Sequence, residues 1–132
     1  MTPEPFESLD YIYVPAPDID AAVRFYTVAL GGDLLWRIRD GNTWVAAVRL
    51  TGDGPMVLLA SHLETGQAVL IYRVQQIDRT RSRLVENGWE AEPPFEIPQG
   101  PCLLFKDPGG LRVAIYERAR PGVDDHFKGR FD

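Results

Sequence analysis

The side chains that most often bind transition metals are few in this chain and lie far apart. Two of the 132 residues are histidine, His62 and His126, and one is cysteine, Cys102. Zinc and iron sites need several such ligands, or carboxylates beside them, at one point. The run Asp124-Asp125-His126 is a weak pattern of this kind and is more typical of a polar terminal segment. The residue types therefore predict neither a metal site nor a cofactor.

Cys102 is the other residue with reactive potential. No histidine or lysine adjoins it in sequence to lower the pKa of its thiol, so we expect a buried or inert cysteine. A lone cysteine forms no intrachain disulfide, which fits a reducing compartment. Residues 1–8 lack the basic and then apolar segments of a signal peptide, and no apolar run approaches the roughly 20 residues that span a bilayer. We expect a soluble cytoplasmic protein.

Composition narrows the class of protein further. Charged residues make up 25% of the chain and hydrophobic residues 45%, which is typical of a globular domain and disfavours disorder or a fibrous repeat. The net charge of −5 disfavours nucleic acid as a partner and a basic helix on a membrane surface. The length suits one domain.

The first half of the chain has the pattern of a strand, a helix and three more strands. Asp18 is a suitable helix N-cap, apolar residues recur after it at the spacing of one helix face, and Gly31-Gly32 can end the helix. Aromatic and β-branched runs between turn residues indicate the strands. The predicted elements are a strand at Leu9–Val14, a helix at Ile19–Leu30, and strands at Leu34–Arg39, Trp44–Leu50 and Met56–Ala60.

The second half repeats this order. Its helix is polar, with one apolar face, and ends before Gly88, while Pro93-Pro94 weakens the strand that follows. The predicted elements are a strand at Ala68–Val74, a helix at Ile77–Asn87, a short strand within Trp89–Ile97, and strands at Cys102–Phe105 and Leu111–Tyr116.

The two halves align as a duplicated βαβββ pattern. Tyr11–Val14 falls on Val69–Tyr72, and Gly54–Leu59 falls on Gly110–Ile115. We therefore expect one domain over residues 1–118, with modules at 9–62 and 67–118, followed by a tail at 119–132. A ferredoxin-like α+β fold is the alternative, which a five-element repeat fits less well.

Three stretches of the sequence carry a resemblance to a known family. They are Leu9–Tyr26 with Leu30-Gly31 ending the helix, Val69–Val74 running into Ile77-Asp78, and Phe105–Glu117 with its Asp107-Pro108-Gly109-Gly110 turn. Together they resemble the vicinal oxygen chelate superfamily of glyoxalases, bleomycin-resistance-type binding proteins and extradiol dioxygenases. The resemblance covers residues 9–117. It implies an α+β, glyoxalase-like fold, in which two tandem βαβββ modules form a curved mixed sheet around a cavity, usually in a homodimer.

The resemblance also identifies where metal ligands would stand. Enzymes of this superfamily usually hold a divalent metal with side chains from the first and last strands of each module. Those four positions fall here on Tyr11, Leu58, Val69 and Ala114. Three of these side chains have no metal-binding atom, and a neutral phenol is a poor ligand. The predicted protein is therefore a metal-independent member.

Strand alternation relative to those four positions predicts the lining of the cavity. Trp36, Trp44 and Phe105 join the set as aromatic candidates, although the sequence does not determine which face they occupy. The predicted ligand-binding residues are Tyr11, Tyr13, Trp36, Trp44, Met56, Leu58, Val69, Ile71, Arg73, Phe105, Arg112, Ala114 and Tyr116. The opposite alternation predicts that Ile12, Val14, Val57, Leu59, Leu70, Tyr72, Val113 and Ile115 pack under the helices.

Three functions remain open at this point. The first is a binding protein that sequesters a planar or aromatic small molecule, such as an antibiotic or a metabolite, in the manner of a bacterial resistance protein. The second is a metal-free lyase or isomerase, with Tyr11 or Tyr13 as general acid and Arg73 or Arg112 stabilising an enolate oxygen.

The enzyme hypothesis needs a base, and no carboxylate is predicted in the cavity, since Glu64 and Glu117 only flank strand ends. The third function is a partner-binding module that uses the tail. There Phe127 and Phe131 either cap the cavity, pack across a dimer, or belong to a frayed end.

Overall fold

The computed structural model of the chain describes residues 6–63, 66–89 and 92–132. Its elements are β1 (Ser8–Pro15), α1 (Ile19–Arg24), β2 (Asp33–Asp40), β3 (Thr43–Arg49), β4 (Met56–Ala60), β5 (Val69–Val74), α2 (Ile77–Glu86), β6 (Phe95–Ile97), β7 (Gly100–Lys106), β8 (Arg112–Glu117) and α3 (Val123–Phe127). The order through β8 is the predicted duplicated βαβββ pattern, so the fold class is confirmed. Within these described residues, no helix is long and apolar enough to cross a membrane.

All eight strands belong to one mixed sheet in the order β2-β3-β4-β1-β5-β8-β7-β6. Outward from the centre, each module therefore has the same order: first strand, last strand, third strand, second strand. The first strands, β1 and β5, pair antiparallel and join the modules, while each pairs in parallel with the last strand of its own module. The sheet curls into a half-barrel, which gives it one concave face.

The first helix departs from the regular α-helix that the sequence predicts. Asp18 caps it as expected, because its carboxylate accepts a hydrogen bond from the Ala21 backbone N–H at 3.1 Å. After Arg24 the chain continues as a π-helical turn over Phe25–Ala29, with the Leu30 N–H bonded to the Phe25 carbonyl at 3.1 Å. Periodicity alone does not reveal this local widening.

Two β-bulges change which side chains face the concave side. In β1 the register with β5 shifts between Leu9 and Tyr11, and in β2 the register with β3 shifts between Leu34 and Trp36. A bulge places one extra residue on the bulged strand, so strict alternation fails there. Leu35 and Trp36 consequently both pack into the concave cluster.

The opposite face of the sheet packs against the helices. Ile19 of α1 packs there in one buried cluster, and Ile77 of α2 packs in a second. Of the residues expected under the helices, these clusters contain Val14, Val57, Leu59, Tyr72 and Ile115, whereas Ile12, Leu70 and Val113 are half-buried outside them.

Residues 119–132, here called the C-terminal strap, cross the open side of the half-barrel. At one end the Arg120 guanidinium donates to the carbonyls of Pro98 (2.6 Å) and Ile97 (2.7 Å), beside the edge strand β6. At the other end the Arg37 N–H of edge strand β2 donates to the Arg130 carbonyl at 2.8 Å, and the Asp132 N–H donates to the Arg37 carbonyl at 2.9 Å. The strap thus connects the two outer strands, and its α3 lies between them. The frayed terminus considered from the sequence is not what the structure has.

Candidate functional site

The concave face and the strap above it form the candidate site. Its buried members are Tyr11, Trp36, Ala47, Leu58, Val69, Ile71, Ile97, Cys102, Ala114 and Tyr116, with Tyr13, Leu35, Ile38, Val45, Met56, Leu104 and Phe127 packed against them. Of the predicted lining residues, the structure therefore brings together Tyr11, Tyr13, Trp36, Met56, Leu58, Val69, Ile71, Ala114 and Tyr116. Apolar and aromatic side chains from both modules thus pack together in one buried cluster on this face.

Two tyrosines at the centre of this surface each donate a hydrogen bond to a carboxylate. The Tyr11 hydroxyl donates to Asp124 of the strap, and the Tyr116 hydroxyl donates to Asp10. The two rings lie 5.7 Å apart between centroids. Asp10 reaches this face because the bulge in β1 lies beside it. The sequence predicts no carboxylate here, and that expectation is wrong.

Burial keeps these tyrosines in the neutral, hydrogen-donating form. Desolvation raises the pKa of Tyr11 far above its usual value, and the adjacent Asp124 carboxylate raises it further. The pKa of Tyr116 is raised by burial and then by Asp10. Burial raises the pKa of Tyr13 to about 12 and that of the Cys102 thiol to about 12. Cys102 is therefore a buried thiol that burial keeps protonated.

Gln99 holds Asp124 from the second module. Its Nε2 donates to the Asp124 carboxylate at 2.9 Å, and its backbone carbonyl accepts from the N–H groups of Ala119 and Arg120 at 3.0 and 3.1 Å. Gly100 follows with φ +155°, and a Cβ there would lie 1.9 Å from the Glu117 carbonyl oxygen. Only glycine permits this close approach of β7 to the end of β8.

Trp36 forms the opposite wall of the site. Its ring centroid lies 5.3 Å from that of Phe127 on the strap, an ordinary aromatic contact. Two buried polar atoms here, Trp36 Nε1 and Gln99 Oε1, have no hydrogen-bond partner among the described residues. A buried polar group without a partner costs about 1–3 kcal/mol.

The two predicted arginines lie at opposite ends of the concave face. Arg73 pairs with Tyr116 across β5 and β8, and its Nε lies 3.6 Å from Asp10 and 3.9 Å from Glu7. Arg112 is four residues from Tyr116 along β8, roughly 13 Å away at the usual rise of a strand. Only Arg73 is thus close to the tyrosines and carboxylates.

Trp44 and Phe105 lie on the helix-covered face instead of the concave one. Trp44 packs with the cluster around Ile19, and Phe105 packs with the cluster around Ile77. In β3 and β7 the concave positions are the alternate ones, among them Ala47 and Cys102. The pairing of neighbouring strands fixes this choice, and the sequence of either strand alone does not contain it.

Three polar residues of the site, Asp10, Gln99 and Asp124, are not predicted by the sequence patterns. Asp10 depends on a bulge, Gln99 on a glycine turn, and Asp124 on the path of the strap. The one available signal was the spacing of Asp124 and Phe127, which are three residues apart and would share one face of a helix. Glu117 turns away and accepts from the Ile77 N–H at 3.0 Å, while Glu64 lies outside the described residues.

The four positions of the expected metal ligands do not fit a metal ion. Tyr11, Leu58, Val69 and Ala114 do meet in one cluster, each at most 6% exposed. Leucine, valine and alanine side chains have no donor atom, and the Tyr11 hydroxyl is engaged with Asp124 and held neutral. In the part of the chain that the structure describes, no three His, Cys, Asp or Glu side chains are grouped to hold a metal. We assign no chemical step to a metal.

Comparison with known proteins identifies the family. Residues 8–115 match the profile described as the Glyoxalase/Bleomycin resistance protein/Dioxygenase superfamily. No curated protein matches the sequence.

Several solved structures share the fold. Methylmalonyl-CoA epimerase from Mycobacterium tuberculosis has a TM-score of 0.71 at 19% identity, with 92% of this chain and 94% of that one covered. A hypothetical protein from Bacillus halodurans C-125 has a TM-score of 0.69 at 15% identity, covering 86% and 95%. A catechol 2,3-dioxygenase has a TM-score of 0.64 at 18% identity, covering 92% of this chain and 44% of the other. At these identities the likeness establishes the fold alone.

Proposed function

The chain belongs to the Glyoxalase/Bleomycin resistance protein/Dioxygenase superfamily, and from that premise we propose that it is a metal-independent small-molecule-binding protein. The ligand is planar and aromatic, such as an antibiotic or a metabolite, and it binds on the concave face. No metal takes part, because the donor positions are filled by Leu58, Val69, Ala114 and a neutral tyrosine.

The aromatic, donor-lined character of the concave face is the observation that carries this proposal. Trp36, Tyr11 and Tyr116 place their rings there, each at most 5% exposed in this structure, and Met56 adds a soft, adaptable side chain. Trp36 also has a buried indole N–H without a partner among the described residues, which a ligand acceptor would satisfy. Small-molecule sites combine such an apolar surface with a few polar atoms that fix orientation.

A matched pair of tryptophan variants tests where the ligand binds. After dialysis against EDTA, the protein is titrated by calorimetry with planar probes of three charges: proflavine, naphthamide and naphthoate. We expect at least one probe to bind saturably, with Trp36→Phe weakening that binding at least about tenfold, equivalent to 1.4 kcal/mol. Trp44→Phe is the control, because Trp44 lies on the helix-covered face. Loss of binding in Trp44→Phe but not in Trp36→Phe, or no binding by any probe, contradicts the proposal.

A metal-free enzyme of lyase or isomerase type is the second candidate, and the two carboxylates favour it. Proton abstraction needs a base, and Asp10 and Asp124 supply carboxylate oxygens next to tyrosine hydroxyls that donate hydrogen bonds. Arg73 lies beside Asp10, where it would stabilise an enolate oxygen. Tyr13 and Arg112, the other residues considered for such roles, have no contact with either carboxylate among the hydrogen bonds and ion pairs of the described residues.

Deuterium exchange distinguishes the enzyme from the binding protein. Methylmalonyl-CoA, after which the structurally similar epimerase is named, is a suitable probe for exchange of an acidic C–H. Incubation in D2O with EDTA is followed by proton NMR. Exchange that Asp124→Asn abolishes would favour the enzyme, whereas no exchange together with saturable probe binding favours the binding protein.

Two further parts of the proposal concern the state of the protein in the cell. We place it in the cytoplasm, since its one cysteine is buried and free.

We also propose a homodimer, supported by Phe25, Val28 and Leu30, which are 53%, 77% and 50% exposed around the π-helical turn. Light scattering that gives the mass of a single chain across the working concentration range would contradict the dimer.

A further inference from the structure

The strap places an aromatic ring and a carboxylate on the concave face. Phe127 lies against Trp36, and Asp124 accepts hydrogen bonds from the Tyr11 hydroxyl and from Gln99 Nε2. Residues three apart on a helix share one face, so the ring and the carboxylate project together from α3. Asp125, between them, is exposed. The protein therefore already binds, within its own chain, an aromatic group and a carboxylate at defined positions.

The fit between the strap and the face beneath it is incomplete. Trp36 and Gln99 are each only 3% exposed, yet Trp36 Nε1 and Gln99 Oε1 have no hydrogen-bond partner among the described residues. The Phe127 ring covers the indole but has no acceptor to offer its N–H. An occupant with a further polar atom near its ring would pair what the strap leaves unpaired.

We propose that the strap is an intramolecular occupant of the ligand site and that the ligand which displaces it is a planar aromatic carboxylate. The proposal rests on the proposed binding function and specifies its ligand class and its regulation. The ligand carboxylate takes the place of Asp124 on Tyr11 and Gln99. The ligand ring takes the place of Phe127 on Trp36.

The charge balance of the site favours an anionic ligand over a cationic one. When the strap leaves, the Asp124 carboxylate leaves with it, so an incoming carboxylate replaces a negative charge instead of adding one. Tyr11 and Gln99 then present two hydrogen-bond donors to the vacated position. Asp10, the remaining carboxylate nearby, is compensated by Arg73 at 3.6 Å. Hydrogen bonds from neutral donors to a charged acceptor are among the stronger ones in proteins.

The strap is built so that its central part can leave while its ends stay attached. α3 has five residues, of which only Val123, Asp124 and Phe127 are half-buried. Arg120 anchors the near end to Pro98 and Ile97, away from the central contacts. Segments with few buried contacts open at low free-energy cost. A competing segment lowers the apparent affinity in proportion to the fraction of molecules in which it is undocked, so a mostly docked strap weakens ligand binding strongly.

Full-length variants and two probes with the same ring test this proposal. Naphthoate and naphthamide differ only in the carboxylate, and their affinities are measured by calorimetry. In the double variant Asp124→Ala/Phe127→Ala, we expect naphthoate to bind at least about tenfold tighter than in the wild type. Naphthamide should bind the same variant less tightly than naphthoate. Asp125→Ala is the matched control on the exposed side of α3 and should leave both affinities unchanged.

Hydrogen exchange of the wild-type protein gives a second readout that does not depend on how the variant folds. Saturation with naphthoate should increase amide exchange at residues 124–128, because the central part of the strap leaves the concave face while its ends stay attached to β6 and β2. Unchanged or slower exchange there, equal binding of the two probes, or no gain in the double variant overturns the proposal. If naphthamide and naphthoate bind equally and need Trp36, the binding function survives and only the strap proposal fails. If neither binds any variant, both fail.

Discussion

At the scale of single residues, the Tyr11 hydroxyl links the central strand to the strap. It is buried, hydrogen-bonded to Asp124 and at one of the four positions where the sequence resemblance implies a metal ligand. The hydroxyl of Tyr116 in β8 donates in the same way to Asp10 of β1. These two pairs account for the polar interactions at the middle of an otherwise apolar face.

Removing the Tyr11 hydroxyl should destabilise the protein measurably. Tyr11→Phe takes away one donor to a charged acceptor, so we expect the free energy of unfolding to fall by about 1.5–3 kcal/mol in urea denaturation. In an Asp124→Ala background, Tyr11→Phe should cost much less stability. The double-mutant cycle should therefore give a coupling energy close to the loss seen in the single variant. Tyr72→Phe, on the helix-covered face beside Phe6, is the control. Additive effects of the two mutations would contradict the contact.

The raised tyrosine pKa values predict a loss of stability at alkaline pH. Tyr11, Tyr13 and Tyr116 stay protonated in the folded protein, whereas in the unfolded chain they ionise near pH 10. The unfolded state therefore binds fewer protons above pH 10, and stability falls as pH rises from there. Phenolate absorbance should show these three ionising only together with unfolding. Tyr11→Phe should leave the phenolate signal of the folded protein unchanged at about pH 10.5, just above the usual tyrosine pKa; a smaller signal would refute this.

At the scale of elements, irregularities in the strands determine which polar groups reach the site. Alternation along β1, β4, β5 and β8 correctly predicts which side chains share the concave face, because those strands are regular near the centre. It fails at Asp10, where a bulge turns a carboxylate inward, and it does not decide the facing of Trp44 or Phe105. Bulges and strand pairing depend on the neighbouring strand, so the local sequence does not encode them alone.

The turn at Gly100 should tolerate no side chain. In Gly100→Ala the new Cβ would lie 1.9 Å from the Glu117 carbonyl oxygen, at a φ that other residues rarely adopt. We expect a loss of about 2 kcal/mol or more in the free energy of unfolding, because the backbone must shift. Gly52→Ala, with no atom within 4 Å of its Cβ, is the control and should change stability by less than about 0.5 kcal/mol. Equal stability of the two variants would contradict this turn geometry.

At the scale of the whole molecule, the duplication explains why the sequence predicts the fold but does not predict the polar residues of the site. Periodicity and turn residues predict βαβββ twice, and symmetric pairing of β1 with β5 then forms one curved sheet. The strap lies outside the repeat, so no pattern in either module predicts that it crosses from β6 to β2. The contacts of Asp124 with Tyr11 and of Phe127 with Trp36 are therefore visible only in the three-dimensional structure.

Metal independence of ligand binding is the most direct test of the proposed function. The dissociation constant of the tightest-binding planar probe is measured by calorimetry on EDTA-treated protein, and again after addition of Zn2+, Mn2+ or Fe2+ with metal content determined in parallel. We predict the same dissociation constant in every sample and no stoichiometric metal, because Leu58, Val69 and Ala114 offer no donor atoms. Binding that appears only with a metal, at one ion per chain, would contradict it.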